Sequence, residues 1–191
     1  MSRLFGEIVV SMYIKEIDIH KLILFLEDSQ LSAYTIQRGP SYYPFPHTIK
    51  RLYIPNNVEG IPVTSIYSNA FNDIKSLEYV TIPNTIKNIY DRAFNGCSNL
   101  KVLIIPGSLK EIGFCFQSCE SLKTIKFKEG VETITSGAFR DCENIKKIFF
   151  PKSIKFIHDD AFLEAKSIQI IIANDNEEAI AFAKKRNIKY I

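Results

Sequence analysis

The sequence predicts an α/β, mainly β, repeat protein: a right-handed solenoid with a parallel sheet along one face, short helical turns, and a cap at each end. Three observations predict it. Phe71, Phe94, Phe116, Phe139 and Phe162 follow one another at intervals of 23, 22, 23 and 23 residues. Each has a small residue before it (Ala70, Ala93, Cys115, Ala138, Ala161), and six positions after it comes Leu77, Leu100, Leu122, Ile145 or Ile168. Beyond that position the apolar residues alternate with variable ones and usually stop at a proline. A fixed period of this length marks stacked units, none of which can bury its own apolar side without a neighbour.

The alternating stretches come first in each unit. They are IKRLYIP (49–55), LEYVTIP (77–83), LKVLIIP (100–106), LKTIKFK (122–128), IKKIFFP (145–151) and the worn IQIIIAN (168–174). Alternation at this length reads as a short strand with one buried face. Pro55, Pro83, Pro106 and Pro151 end it, because proline has no N–H to continue a ladder. Next come apolar positions at Ile86, Leu109, Val131 and Ile154, then at Ile66, Ile89, Ile112, Ile134 and Ile157, which read as a second extended piece. The A-F-x-x-C segment that follows reads as a short helical or 3₁₀ turn.

The chain divides into an N-terminal cap or extension (1–48), the solenoid of about five to six coils (49–173), and a helix-strand cap (174–191). In the last of these, an N-cap within Asn174 to Asn176 precedes an acidic first turn, a face of Ala179, Phe182 and Ala183, and a basic last turn. Residues 188–191 read as a final strand. In the first segment IDIHKLILFLEDSQ (17–30) reads as an amphipathic helix, with a pair of strands as the open alternative. SAYTIQRG (32–39) reads as a strand and GPSYYPFPH (39–47) as a loop.

The unit IPNTIKNIYDRAFNGCSNLKVLIIP resembles the BspA-like (type 5) leucine-rich repeat, whose pattern runs L-x-x-L-x-L-P-x-x-L-x-x-I-x-x-x-A-F-x-x-C. IPNNVEGIPVTSIYSNAF (54–71) resembles that family's first repeat, with its five-residue insertion. The asparagine ladder of the common leucine-rich repeat is missing: its slot holds Asn56, Asn84, Gly107, Glu129 and Lys152. The resemblance implies a leucine-rich-repeat solenoid. It also implies a role in protein binding, with adhesion or host interaction among the roles described for the family.

Composition narrows the function classes. With 46% hydrophobic and 24% charged residues the chain suits one folded domain, and a net charge of +3 is too small to call for a nucleic-acid partner. No apolar run reaches the roughly 18 residues of a membrane helix. The first residues make a poor secretory signal, so the expected compartment is cytoplasmic by default, with surface location or non-classical export compatible with the same residues. His20, His47 and His158 are scattered, and no phosphate-loop, nucleophile-elbow or H-E-x-x-H motif occurs. The expectation is a protein that is not an enzyme and uses no cofactor or metal.

Two features compete as sites. CFQSC (115–119) sets two of the four cysteines at C-x3-C spacing, but Cys97, Cys119 and Cys142 occupy one slot of successive coils. Coils stack at about 4.8 Å, so that slot reads as an inward ladder of small hydrophobes. Cys115 stands where other coils have alanine, in a coil one residue short between Ile112 and Phe116. That shortening predicts a tilt of Cys115 away from the inward position, and its exposure is the open point.

The outward strand positions are the stronger candidates. One row is Tyr53, Thr81, Ile104, Lys126, Phe149 and Ile172; the other is Arg51, Tyr79, Val102, Thr124, Lys147 and Ile170. From these rows Tyr53, Tyr79, Thr81, Ile104, Lys126, Lys147 and Phe149 are the expected partner-binding residues, since exposed apolar surface with basic neighbours marks an interaction site. The expected partner is a protein. Lys101, Lys123 and Lys146 form a basic stripe beside them, so the alternative is a binder of nucleic acid or another polyanion. A purely structural or self-associating repeat is the third reading.

Overall fold

The structure is a computed structural model and describes residues 8–14, 17–26, 34–37, 49–58 and 60–191. It is a parallel β-solenoid of the leucine-rich-repeat type. Its strands, in chain order, are β1 (Ile8–Ile14), β2 (Ile17–Leu26), β3 (Tyr34–Gln37), β4 (Arg51–Tyr53), β5 (Asn57–Val58), β6 (Ile61–Ile66), β7 (Tyr79–Thr81), β8 (Asn88–Ile89), β9 (Val102–Ile105), β10 (Glu111–Ile112), β11 (Thr124–Phe127), β12 (Thr133–Ile134), β13 (Lys147–Phe149), β14 (Phe156–Ile157), β15 (Ile170–Ile172) and β16 (Lys189–Tyr190). One helix, α1 (Glu177–Lys185), precedes β16.

The first face is a seven-stranded sheet in the order β16-β15-β13-β11-β9-β7-β4. Every pairing in it is parallel, and from β4 to β15 it joins equivalent residues of successive coils, as Leu52↔Val80 and Ile125↔Ile148 show. The second face carries the shorter ladder. There β6 pairs with β8, and β10, β12 and β14 form a separate three-stranded sheet. Between β8 and β10 the ladder stops.

The third side is made of turns. Ala70, Ala93, Ala138 and Ala161 each donate an N–H to the carbonyl three residues back, the bond of a 3₁₀ turn. The turn does not propagate, because the second residue after each phenylalanine (Asp73, Gly96, Ser118, Asp141, Glu164) has a left-handed φ between 54° and 71°. The N–H groups released from helix formation bond to the next coil instead: Phe71 to Ala93 O, Phe94 to Cys115 O, Phe116 to Ala138 O and Phe139 to Ala161 O. The short coil differs. Cys115 N donates to Gly113 O at 2.7 Å, two residues back, so a β-turn has become a γ-turn.

Inside, the five periodic phenylalanines form one column. Phe71, Phe94, Phe116, Phe139 and Phe162 stack at 5.0, 5.2, 5.7 and 5.1 Å with nearly parallel rings. All five are essentially fully buried. Burial of such a ring stabilises by roughly 1.5–3 kcal/mol, and ring pairing adds about 0.5–1.5 kcal/mol.

The helical reading of residues 17–30 is overturned. Residues Ile17–Leu26 form β2, antiparallel to β1 and to β3, and β3 in turn pairs in parallel with β6 of the first coil. Its sequence is rich in β-branched and aromatic residues, and cross-strand partners on both sides override a marginal helical period. Residues 27–30 and the loop at 39–47 lie outside the described residues. The strand predicted within 32–39 is β3.

At the other end the cap is as expected. Asn176 is the N-cap of α1; its side chain accepts from Ala179 N at 2.8 Å and donates to Lys152 O and Ile154 O at 3.0 and 2.7 Å. Ala179, Phe182 and Ala183 are the buried face. Glu178 accepts from Ile157 N at 3.1 Å, closing the edge of β14, while β16 pairs with β15 to extend the first face by one strand.

Candidate functional site: the outer face of the seven-stranded sheet

Strand pleat decides this site. In each coil the middle residue of the strand (Leu52, Val80, Leu103, Ile125, Ile148, Ile171) is buried, so its neighbours on either side must point outward. The parallel register then aligns them. Tyr53 lies opposite Thr81, Ile104 opposite Lys126, and Lys126 opposite Phe149. In the second row Arg51, Tyr79, Val102, Thr124, Lys147 and Ile170 follow one another across the sheet. Both rows expected from the sequence therefore lie on one surface, the second as an unbroken ladder and the first with a break between Thr81 and Ile104, where β7 and β9 share only the pair Tyr79↔Val102.

Exposure differs along them. Tyr53 and Ile104 are 48% and 46% exposed, Tyr79 and Val102 38% and 39%. Thr81, Lys126 and Lys147 are also exposed, whereas Phe149, Ile170 and Ile172 are half-buried. The rings are covered by cations: the Arg51 guanidinium lies 4.8 Å from the Tyr79 ring centre, and the ammonium groups of Lys126 and Lys147 lie 5.9 and 5.8 Å from that of Phe149. Each such contact contributes about 0.5–1 kcal/mol at an exposed site and holds a ring flat on the sheet. Arg51 and Val102 thus belong to this surface as much as the residues singled out from the sequence. The register contained that signal, since both stand in the same row as Tyr79.

The basic stripe is less uniform. Lys101 makes an ion pair with Glu78, which also takes Lys50 at 3.8 Å. The bond to Lys101 holds the Glu78 carboxyl below its ordinary range and raises the Lys101 ammonium correspondingly. One end of the stripe is therefore neutralised.

The cysteines are core. Cys97, Cys119 and Cys142 are fully buried, and each thiol donates to the phenylalanine carbonyl of the preceding coil: Phe71 O at 3.3 Å, Phe94 O at 3.5 Å and Phe116 O at 3.1 Å. The slot thus holds a small hydrophobe that also donates a hydrogen bond. Burial pushes the Cys97 thiol up to about 12. The expected tilt of Cys115 does not occur. It is 1% exposed, and burial raises its thiol too. The γ-turn at Gly113 absorbs the missing residue and leaves the packed position intact.

A stack of parallel strands, buried strand centres and an exposed ladder on the sheet defines the leucine-rich-repeat solenoid class. Within that class, the BspA type leucine rich repeat region matches in six copies over residues 41–169, more than half of the chain. The chain belongs to this family. No curated protein matches it. Among solved structures it is similar to the T. pallidum leucine rich repeat protein TpLRR, with 25% identity and a TM-score of 0.67 over 78% of this chain and 66% of that one. It is also similar to a leucine-rich repeat protein from Bacteroides ovatus, with 27% identity and a TM-score of 0.65 over 78% and 38%. A leucine rich cell surface protein from Faecalibacterium prausnitzii shares the fold at 22% identity and a TM-score of 0.51, over 81% and 55%. The chain therefore spans less than two thirds of each of these proteins. No helix among the described residues is long and apolar enough to cross a membrane.

Proposed function

We propose that this chain is a non-catalytic binding module that captures a protein partner on the outer face of the seven-stranded sheet, through Tyr53, Tyr79, Thr81, Ile104, Lys126, Lys147 and Phe149. The observation that carries this reading is the run of exposed Tyr53, Tyr79, Val102 and Ile104 on adjacent strands, where apolar side chains contribute nothing to the core. Aromatic residues and arginine are enriched in interface centres, and Tyr53, Tyr79 and Arg51 stand together here; the lysines around Phe149 suit a polar rim. Adhesion or host interaction, which the family resemblance implies, would use the same face.

The test is capture of partners by immobilised protein, with wild type compared against the Tyr79→Ala/Phe149→Ala double variant. The expected result is loss of a specific partner from the double variant, with little dependence on salt. Equal recoveries from both proteins would remove this face as the site. Binding of a polyanion would show instead as a steep fall with salt, and as loss on joint Lys123→Glu, Lys126→Glu and Lys147→Glu substitution.

A further inference from the structure

The coils are not joined equally along the stack. On the first face three residue pairs join β4 to β7, four join β9 to β11 and three join β11 to β13, but Tyr79↔Val102 alone joins β7 to β9. The second face lapses at the same junction. One coil before it, Lys87 N donates to Thr64 O and Tyr90 N to Ile66 O; one coil after it, Glu132 N and Thr133 N donate to Lys110 O and Thr135 N to Ile112 O. Their counterparts, from Lys110 N and Glu111 N to Lys87 O and from Gly113 N to Ile89 O, are not made.

A side-chain link is lost with them. Ser153 donates to Val131 O at 2.7 Å and accepts from Gly130 N at 2.8 Å, both in the preceding coil. Ser108, its counterpart two coils earlier, makes neither bond, and its hydroxyl oxygen has no partner.

The turn side of this junction is complete. Arg92 N donates to Phe114 O at 2.6 Å, Phe94 N to Cys115 O, Gly96 N to Gln117 O and Ser121 N to Ser98 O at 2.9 Å each. The Cys119 thiol donates to Phe94 O, and the Phe94 and Phe116 rings stack at 5.2 Å. Two sides of the junction are thinned and the third is intact, which is the arrangement of a hinge with the turn ladder as its axis.

The arms on either side are firmly built, as a hinge requires. The first two coils are joined by β4–β7 and β6–β8, with β3 added on β6. From the third coil onward β9, β11, β13 and β15 pair in series, as do β10, β12 and β14. Burial of Val80, Leu103 and Leu109 at the junction keeps it closed in the structure. Apolar burial is non-directional, so it holds the arms together without fixing the angle between them as a ladder does.

We propose that the junction of the second and third coils is a hinge, about which the two arms open and close with the turn side as the axis. The sheet face is where the opening is felt, since Tyr53, Tyr79 and Thr81 stand on one arm and Val102, Ile104, Lys126, Lys147 and Phe149 on the other. This consequence rests on the sheet face being the partner site. A partner that covers both arms binds one setting of the hinge and fixes it.

Native-state amide exchange of the free, full chain reads the hinge without a partner. Three amides make equivalent bonds at successive junctions: Glu78 N to Lys50 O at 2.8 Å, Lys101 N to Glu78 O at 3.1 Å and Lys123 N to Lys101 O at 2.9 Å. A rigid stack protects all three alike. The hinge expects a protection factor for Lys101 lower by on the order of tenfold or more than those of Glu78 and Lys123. Phe94 and Gly96, on the axis of the same junction, should match Phe116 and Ser118, whose N–H groups bond one coil on. Lys101 as protected as its two counterparts would overturn the hinge. So would Phe94 and Gly96 exchanging as readily as Lys101, because the coils would then be parting and not turning. A sheet face that captures no partner leaves this result standing, so the two readings fail separately.

Discussion

At the scale of single residues, the cysteine slot shows how one side chain serves two purposes. A thiol is small enough for the interior of a narrow coil, and its S–H still reaches the carbonyl one coil back. The first coil has Ile74 in this slot and no A-F turn before it to bond. That interior has a consequence for pH. Burial moves the Cys97 thiol from 9.0 to about 12, so the folded state favours the protonated form. The stabilisation is complete below the unfolded pKa near 9 and is lost as pH rises towards 12, because the unfolded chain deprotonates first. The urea midpoint is therefore expected to hold steady from pH 7 to 8.5 and to fall between pH 9 and 11. Ellman's reagent at pH 8 should find almost no thiol in the native protein and four after denaturation, matching the four buried free cysteines. Rapid labelling of one thiol in the native state would contradict the burial of Cys115.

At the scale of elements, what the sequence disclosed depended on how often it repeated itself. The inward and outward sets of the first face were readable because six strands share one pattern, and their register followed from the period. β1 and β2 occur once, so only local pattern was available there, and Ile17–Leu26 suits a helix or a strand until its partners are known. The C-terminal cap also occurs once, yet its signals are local ones: an asparagine, an acidic first turn and an apolar stripe. Asn176 is the strongest of them, since it both caps α1 and ties it to the carbonyls of Lys152 and Ile154. Asn176→Ala removes a cap, typically about 0.5–2 kcal/mol, and orphans two carbonyls. We expect a fall in unfolding free energy of about 2 kcal/mol by urea titration, and early loss of exchange protection in α1 and β16. A change below about 0.5 kcal/mol would mean that the helix is held by its apolar face alone.

At the scale of the whole molecule, the missing residue of the third coil had to be absorbed somewhere, and magnitudes decide where. Pulling Cys115 and Phe116 outward would forfeit core packing, which for a phenylalanine is about 3–5 kcal/mol. Releasing three backbone bonds between β8 and β10, the counterparts of those that Glu132 N, Thr133 N and Thr135 N make to Lys110 O and Ile112 O one coil on, hands those groups to water at about 0.5–1.5 kcal/mol each. The ladder yields and the core does not, which is why the shortening was visible in the sequence while its effect was not. The solenoid is thereby jointed between its second and third coils, held there by the phenylalanine column, the turn ladder and one strand pair. In a stack whose stability is a sum of nearest-neighbour terms, this is the weakest interface. Inserting one serine between Gly113 and Phe114 restores the 23-residue period. The ladder should then close: exchange at Lys110 and Gly113 slows to the rate of Thr135, and unfolding free energy rises by about 1.5–4.5 kcal/mol. If the insertion leaves those amides exchanging as before, the short period is not what interrupts the ladder.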